Sequence, residues 1–232
     1  GGALKQFDIV LANPPYSIKQ WDRAKRSSDK WGRNKYGTPP QGNADYAFFQ
    51  HIVSSMKPKS GRCAILFPNG VLFRDQEIEM RKRLIQSDLI ECVIGLGPNL
   101  FYNSTMESCV IICRTMKDKS RKKKVLFINA IDMIREERTM SYLDSSHIKR
   151  IAEGYINWKD NTGFSKIVDI EDIKSNDSNL SVSMYLENNN DPENSIKSAN
   201  NIASWLEFSS KLHPDLFGVV DDIDQIRKRW LS

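Results

Sequence analysis

The sequence predicts an α/β fold built on a doubly wound sheet, followed by a small, mainly helical C-terminal extension. Three observations lead there. Short, continuous apolar runs rich in β-branched residues recur along residues 7–132, the pattern of strands buried on both faces. Between the first three runs lie segments with helical periodicity and short links, the strand–helix–strand order of a parallel sheet. The chain has 232 residues, 40% of them hydrophobic, enough for one such domain or one domain with an appendage.

Each element follows in turn. FDIVLA (7–12) reads as a buried strand that prolines end. Residues 17–43 are polar and rich in Lys, Arg, Gly and Pro, and read as a long loop. ADYAFFQHIVSSMKP (44–58) has helical spacing, with Asp45 near its start and Pro58 as a stop. GRCAILFPN (61–69) is a second strand, and RDQEIEMRKRLIQSD (74–88) a charged amphipathic helix. LIECVIGL (89–96) and ESCVIICRTM (107–116) are joined by about ten residues without helical periodicity, which predicts antiparallel neighbours or a hairpin with a long loop. KKVLFINAID (123–132) is a fifth strand, so KDKSRKKK (117–124) reads as a solvated hairpin tip. Beyond it come a helix over 145–158 and a short strand opening 166–186. A polar linker over 187–195 and terminal helices over 202–212 and 221–231 complete the chain. The expected division is 1–133 for the sheet domain, 134–186 for an α/β extension and 187–232 for linker and terminal helices.

Composition narrows the partners. The formal net charge of +5 permits nucleic acid without requiring it. Cys63, Cys92, Cys109 and Cys113 lie in apolar runs without CxxC spacing, and the three histidines are scattered. They read as reduced core thiols, with no metal site, in a reducing cytoplasm. No apolar run approaches the ~20 residues that span a bilayer, so no membrane partner is expected.

The chemistry concentrates at Asn13-Pro14-Pro15-Tyr16, directly after the first strand. Ligands of open α/β sheets bind beyond the carboxyl ends of strands. Asn13 offers a side-chain carbonyl on a backbone that Pro14 holds away from the helical region. The two prolines lack N–H groups, so the turn presents acceptors on a stiff frame. Tyr16 adds a flat face with a polar tip. A planar ring bearing an amino group is the natural guest. Two acceptors on that amine draw its nitrogen lone pair out of conjugation and make it nucleophilic, which suffices for a reactive electrophile such as a sulfonium methyl. A base within a duplex reaches such a site only by flipping out. Taken alone, the tetrapeptide is equally a strand-terminating turn.

The pattern D-x-x-x-x-N-P-P-Y, Asp8 to Tyr16, resembles the catalytic motif of DNA adenine-N6 methyltransferases and of protein glutamine-N5 methyltransferases. Residues 42–74, 81–103, 108–117 and 124–132 resemble the methylation (M) subunit of type I restriction–modification systems. Glutamine methyltransferases lack the Ala44–Phe48 block and the Gly70–Phe73 block. The likeness weakens toward residue 186 and covers roughly four fifths of the chain. It implies the second half of a Rossmann-like class I methyltransferase sheet, in a cytoplasmic bacterial or archaeal enzyme that moves methyl from S-adenosylmethionine to adenine N6. Partners implied are double-stranded DNA, a specificity subunit and a restriction subunit.

By match, Asn13 and Pro14 hold the N6 amino group and Tyr16 stacks on the ring. Asp45 and Phe48 fall near the target and cofactor pockets. Phe101 is either a second stacking face or a core aromatic. Two departures stand out. Gly97 occupies a position where the family usually has proline. The family's glycine-rich S-adenosylmethionine loop and acidic strand end come before the Asn-Pro-Pro-Tyr motif, and no residue ahead of it here carries them. The chain therefore reads as a fragment that binds the cofactor weakly or not at all. Gly95-Leu96-Gly97 does not substitute, because it lacks a third glycine and a following helix. The first strand is expected to present an unpaired edge that favours self-association.

Residues 19–36 carry Lys19, Arg23, Lys25, Arg26, Lys30, Arg33 and Lys35, interleaved with Trp21, Trp31 and Tyr36. Charge with rings suits phosphates and unstacked bases, so these seven cations are candidate DNA ligands; a solvated flexible loop is the plainer reading. Rival functions are a stand-alone adenine or glutamine methyltransferase, and a non-catalytic DNA-binding or assembly module.

Overall fold

A computed structural model of the chain describes residues 3–101, 106–137 and 141–186. The linker and terminal helices expected over 187–232 lie outside the described residues. Eight strands are present: β1 (Ile9–Ala12), β2 (Arg62–Pro68), β3 (Ile90–Leu96), β4 (Ser108–Arg114), β5 (Lys124–Ala130), β6 (Arg135–Glu136), β7 (Ser141–Tyr142) and β8 (Ser165–Asp169). Six of them form one sheet in the order β1-β2-β4-β3-β5-β8, and β6 pairs with β7. The helices are α1 (Arg23–Ser27), α2 (Asp45–Ser54), α3 (Ile78–Gln86), α4 (Ser145–Asn157), α5 (Ile170–Ser175) and α6 (Val182–Leu186).

The sheet is mixed. β1 runs parallel to β2 and β3 parallel to β5, while β4 is inserted antiparallel between β2 and β3, and β8 closes the far edge antiparallel to β5. The short link between β3 and β4 explains the insertion: it is too short for a crossover, so the chain must turn back. β5 does not pair with β4, because β3 lies between them. Residues 117–124 are therefore a connection across the sheet and not the expected hairpin tip. Lys117 in it is buried, with its ammonium on Asp88 Oδ1 at 2.7 Å and the Lys124 carbonyl at 2.8 Å.

The alternation of side chains divides the core. Ile90, Val93, Val125 and Phe127 face one cluster, which α2, α3, α5 and α6 cover with Phe49, Ile52, Leu84, Ile173 and Val182. Cys92, Ile94, Leu126 and Ile128 face the other, covered by α4 through Ile151 and Tyr155. The second cover stops short of β1. Val10 and Ala12 pack on the first cluster, whereas Ile9 and Leu11 are 53% and 77% exposed. All four cysteines are buried, and Cys63 stands opposite Cys113 across β2 and β4. Gly97 is required by close approach: a Cβ there would lie 2.3 Å from the Ile131 carbonyl oxygen. Its role is packing of β3 against the chain after β5. The expected loop over 17–43 contains α1, capped by Asp22, whose carboxylate accepts the Lys25 N–H at 2.8 Å.

Candidate functional site

β1, β2, β3 and β5 share one direction, so their carboxyl ends lie along one edge of the sheet. Asn13–Tyr16 leave β1 at that edge. Asn13 and Pro15 are exposed and Pro14 is buried, which puts the Asn13 amide toward solvent on a turn anchored by the first proline. The backbone then passes through Ser17 at φ 51°, a left-handed conformation that costs a non-glycine residue on the order of 1 kcal/mol or more.

α2 holds that conformation in place. The Asp45 carboxylate accepts the Ser17 N–H through Oδ1 at 2.8 Å, and Ala44 N–H donates to the Ile18 carbonyl at 3.1 Å. Through Oδ2, Asp45 pairs with Arg74 Nη2 at 2.7 Å, and Arg74 Nε pairs with Glu77 at 2.8 Å. The Arg74 carbonyl accepts from Arg81 Nη1 at 3.0 Å, while Arg81 Nε donates to Ser178 O at 2.8 Å. Asp45, Glu77 and Arg81 are each 1% exposed, so the network stands in low dielectric where every partner matters. Burial pushes the Glu77 carboxyl up, and Arg74 opposes this. Residues 74–88 read as a charged amphipathic helix, a pattern that does not single out Arg74, Glu77 and Arg81. Arg81 and Leu84 lie on the buried face of α3, and Glu77 is buried in the turn just before it.

Tyr16 is half-buried, and its hydroxyl is sealed from water without a hydrogen-bond partner among the described residues. Burial, with Cys109 and Asp45 nearby, pushes it up to about 12, so it stays protonated at neutral pH. Phe48 lies one turn beyond Asp45 on α2 and packs partly on the core. Phe101 is half-buried past the end of β3, and no ring contact joins it to Tyr16 among the described residues. Asp8 is at the opposite end of β1 from Asn13. It bonds Lys57 Nζ at 2.7 Å and Ser60 Oγ at 2.6 Å on the surface, so it anchors the strand and does not reach the turn.

The seven cations of the 19–36 segment divide by type. Arg23 Nε donates to Pro39 O at 2.8 Å, and Arg26 donates to Asn34 Oδ1 at 3.1 Å and Ala47 O at 3.0 Å. Arg33 Nε bonds Asp29 at 2.8 Å, and Arg33 Nη1 meets His51 Nδ1 at 3.2 Å. The guanidinium fork suits such multiple acceptors; Arg26 and Arg33 tie the segment to α2, and Arg23 ties it to itself. Lys19, Lys25, Lys30 and Lys35 remain exposed and form no ion pair among the described residues.

The model of the N-6 DNA Methylase family matches residues 2–194. The type I restriction enzyme MjaVII methylase subunit of Methanocaldococcus jannaschii is 36% identical over 191 residues, covering 78% of this chain and 33% of that protein. The HindI methylase subunit of Haemophilus influenzae is 33% identical, covering 78% of this chain and 42% of its own length. A crystal structure of the type I restriction-modification methyltransferase subunit from Streptococcus thermophilus superposes with a TM-score of 0.73 at 32% identity, over 79% of this chain and 39% of that one. The chain thus spans between a third and just over two fifths of the length of these relatives.

Proposed function

Because the chain belongs to the N-6 DNA Methylase family, we propose that it is the amine-holding part of a type I restriction–modification methylase subunit that methylates adenine N6 in DNA. The observation that carries the reading is the exposed Asn13 amide on a proline-stiffened turn, held by Asp45 at the carboxyl edge of the sheet. Asn13 Oδ1 and the Pro14 carbonyl each accept a hydrogen bond from the N6 amino group, which localises the lone pair on nitrogen and aims it away from the turn. Tyr16 moves its ring onto the extruded base, and Phe101 covers the other face. No general base is needed, because the amine proton leaves to water after the methyl has transferred.

S-adenosylmethionine supplies an activated sulfonium methyl in this reaction. The described residues fit the amine end of it and not the donor end. The carboxylate beside the turn, Asp45, is committed to Ser17 and Arg74, and the glycine pair on β3 is packed against Ile131 and Ile134. Neither can take a ribose diol or a nucleoside backbone, so the cofactor is assigned to residues outside those described. The exposed lysines of the 19–36 segment contact DNA phosphates, and a specificity subunit selects the sequence.

The test is product analysis. DNA carrying the recognition site is incubated with the full-length complex and radiolabelled S-adenosylmethionine, then digested to nucleosides. Label in N6-methyl-2′-deoxyadenosine is expected; label in methyl-2′-deoxycytidine, or in protein glutamine alone, would reject the assignment.

A further inference from the structure

A cavity of about 740 Å³ lies between the 17–43 segment and the outer side of α2. Its construction is specific. Trp21, Trp31 and Phe48 line it with aromatic surface over the small side chains of Ala44 and Ala47. Trp21 is fixed by reciprocal bonds with Gln41: its Nε1 donates to the Gln41 carbonyl at 2.9 Å, and Gln41 Nε2 returns a bond to Trp21 O at 3.0 Å. Trp31 is overlaid by Lys30 Nζ at 4.6 Å and the Arg33 guanidinium at 4.7 Å from the ring centre. The walls are therefore large, flat and held.

The charge around this cavity is one-sided. Lys25, Arg26, Lys30 and Arg33 line it against only Asp22 and Asp29. Asp29 is paired with the Arg33 guanidinium and backbone N–H, and Asp22 caps α1 and keeps its charge, so four cations stand against two carboxylates. His51 adds no cation, since burial and then Arg33 and Arg26 hold it below the ordinary histidine range. Lys25 is thus left to face a ligand, and Lys30, which lies over the Trp31 ring, adds a second ammonium at the rim. Flat apolar walls with unopposed ammonium groups at the rim suit an aromatic ring joined to an anion. A nucleotide has that chemistry. The sulfonium methyl donor does not, because its own positive charge would meet the lysines.

The cavity also lies beside the amine-holding turn. Ile18 in its wall is two residues past Tyr16, and Phe48 is one helical turn from the Asp45 that holds Ser17. We infer that this cavity is a second base site: it receives one unstacked nucleotide of the DNA strand near the target adenine, ring between the tryptophans and phosphate on Lys25 and Lys30. This rests on the DNA-methylase reading for its biological setting, but the binding itself requires only a single strand.

The experiment uses the 232-residue chain and a 5′-labelled single-stranded DNA decamer, read by anisotropy and by tryptophan emission. The decamer should bind and quench emission. Trp21→Ala and Lys30→Glu should each raise Kd by roughly tenfold, and Lys25→Glu should flatten the salt dependence by about 0.7 in log–log slope. Trp21→Phe, which keeps a ring, should bind close to the parent and separates stacking from misfolding. Lys149→Ala, an exposed lysine on α4, should leave this affinity unchanged. Unaltered affinity in Trp21→Ala and Lys30→Glu, or an equal loss of binding in Lys149→Ala, overturns the second site. If these variants bind as parent while the full-length complex still makes N6-methyladenine, only the cavity assignment fails. If they bind weakly and no such product forms, only the methylase reading fails.

Discussion

The carboxylate of Asp45, the first residue of α2, accepts the backbone N–H of Ser17 at 2.8 Å. That single bond fixes the far end of the Asn-Pro-Pro-Tyr turn, and the other carboxylate oxygen carries the load on to Arg74. The turn is thus set by a helix 28 residues later in sequence, through a buried acid that never needs to touch substrate.

Removing the clamp should cost stability and alignment together. Asp45→Ala leaves Arg74 half-unpaired and Ser17 N–H without its acceptor, and should lower unfolding free energy by about 3 kcal/mol. Asp45→Asn keeps an acceptor and should cost about 1 kcal/mol. Urea denaturation of the two variants checks the order; equal losses would show that the hydrogen bond to Ser17 contributes nothing and that the whole loss lies in the ionic contact with Arg74.

Tyr16 gives the opposite expectation. Its buried hydroxyl has no partner among the described residues, so Tyr16→Phe should raise stability by about 1 kcal/mol, or ~2–4 °C in a thermal melt. The pH dependence follows from the hydroxyl being pushed up to about 12 from 10.0. The unfolded chain ionises first, so the parent loses stability between those values as pH rises. Tyr16→Phe should lack that component of the loss.

Acid should release the basic segment. Hydrogen bonds from Arg33 hold Asp29 down to about 2 against an ordinary 3.8. A depressed carboxylate stabilises the fold above its unfolded value, and that contribution disappears as pH falls from about 4 toward 2. Because Arg33 stacks on Trp31, tryptophan emission should shift over that window. Asp29→Asn should show the shifted emission already at pH 7; an emission unchanged from the parent would contradict the coupling.

The edge strand should drive association. Ile9 and Leu11 project from β1 on the α4 face of the sheet, where that cover stops short of β1, and β1 has one neighbour among the described strands. Exposed apolar edges pair with other chains. Sedimentation of the isolated chain should show concentration-dependent association that Leu11→Arg with Ile9→Lys reduces. A parent that stays monomeric at all concentrations would contradict it.

The sequence and the structure agree most closely where physics is local. The strands 61–69, 89–96 and 123–132 are buried on both faces and so stand out as unbroken apolar runs, and the Asn13–Tyr16 turn declares itself by its prolines. Disagreement begins where long-range partners decide. Lys117 looked like part of a solvated tip, yet it is buried on Asp88 because β4 and β5 flank β3. Arg23, Arg26 and Arg33 looked like DNA ligands in common with the lysines, yet their forks close on carbonyls and Asp29. The amphipathic pattern of 74–88 did not single out Arg81 and Glu77, because a periodicity shows which face is buried but not that a charge there has a partner. Asp45 was picked out by position in a block; its contact with Ser17 could be seen only in three dimensions.

The most direct measurement is methyl transfer by the full-length complex carrying Asn13→Ala, with radiolabelled S-adenosylmethionine and DNA containing its recognition site. Losing one of two acceptors on the developing ammonium should reduce kcat by roughly 10²-fold or more, with DNA affinity and the melting temperature close to the parent. A kcat that stays near the parent's would contradict the assignment of Asn13 as the residue that holds the adenine amine.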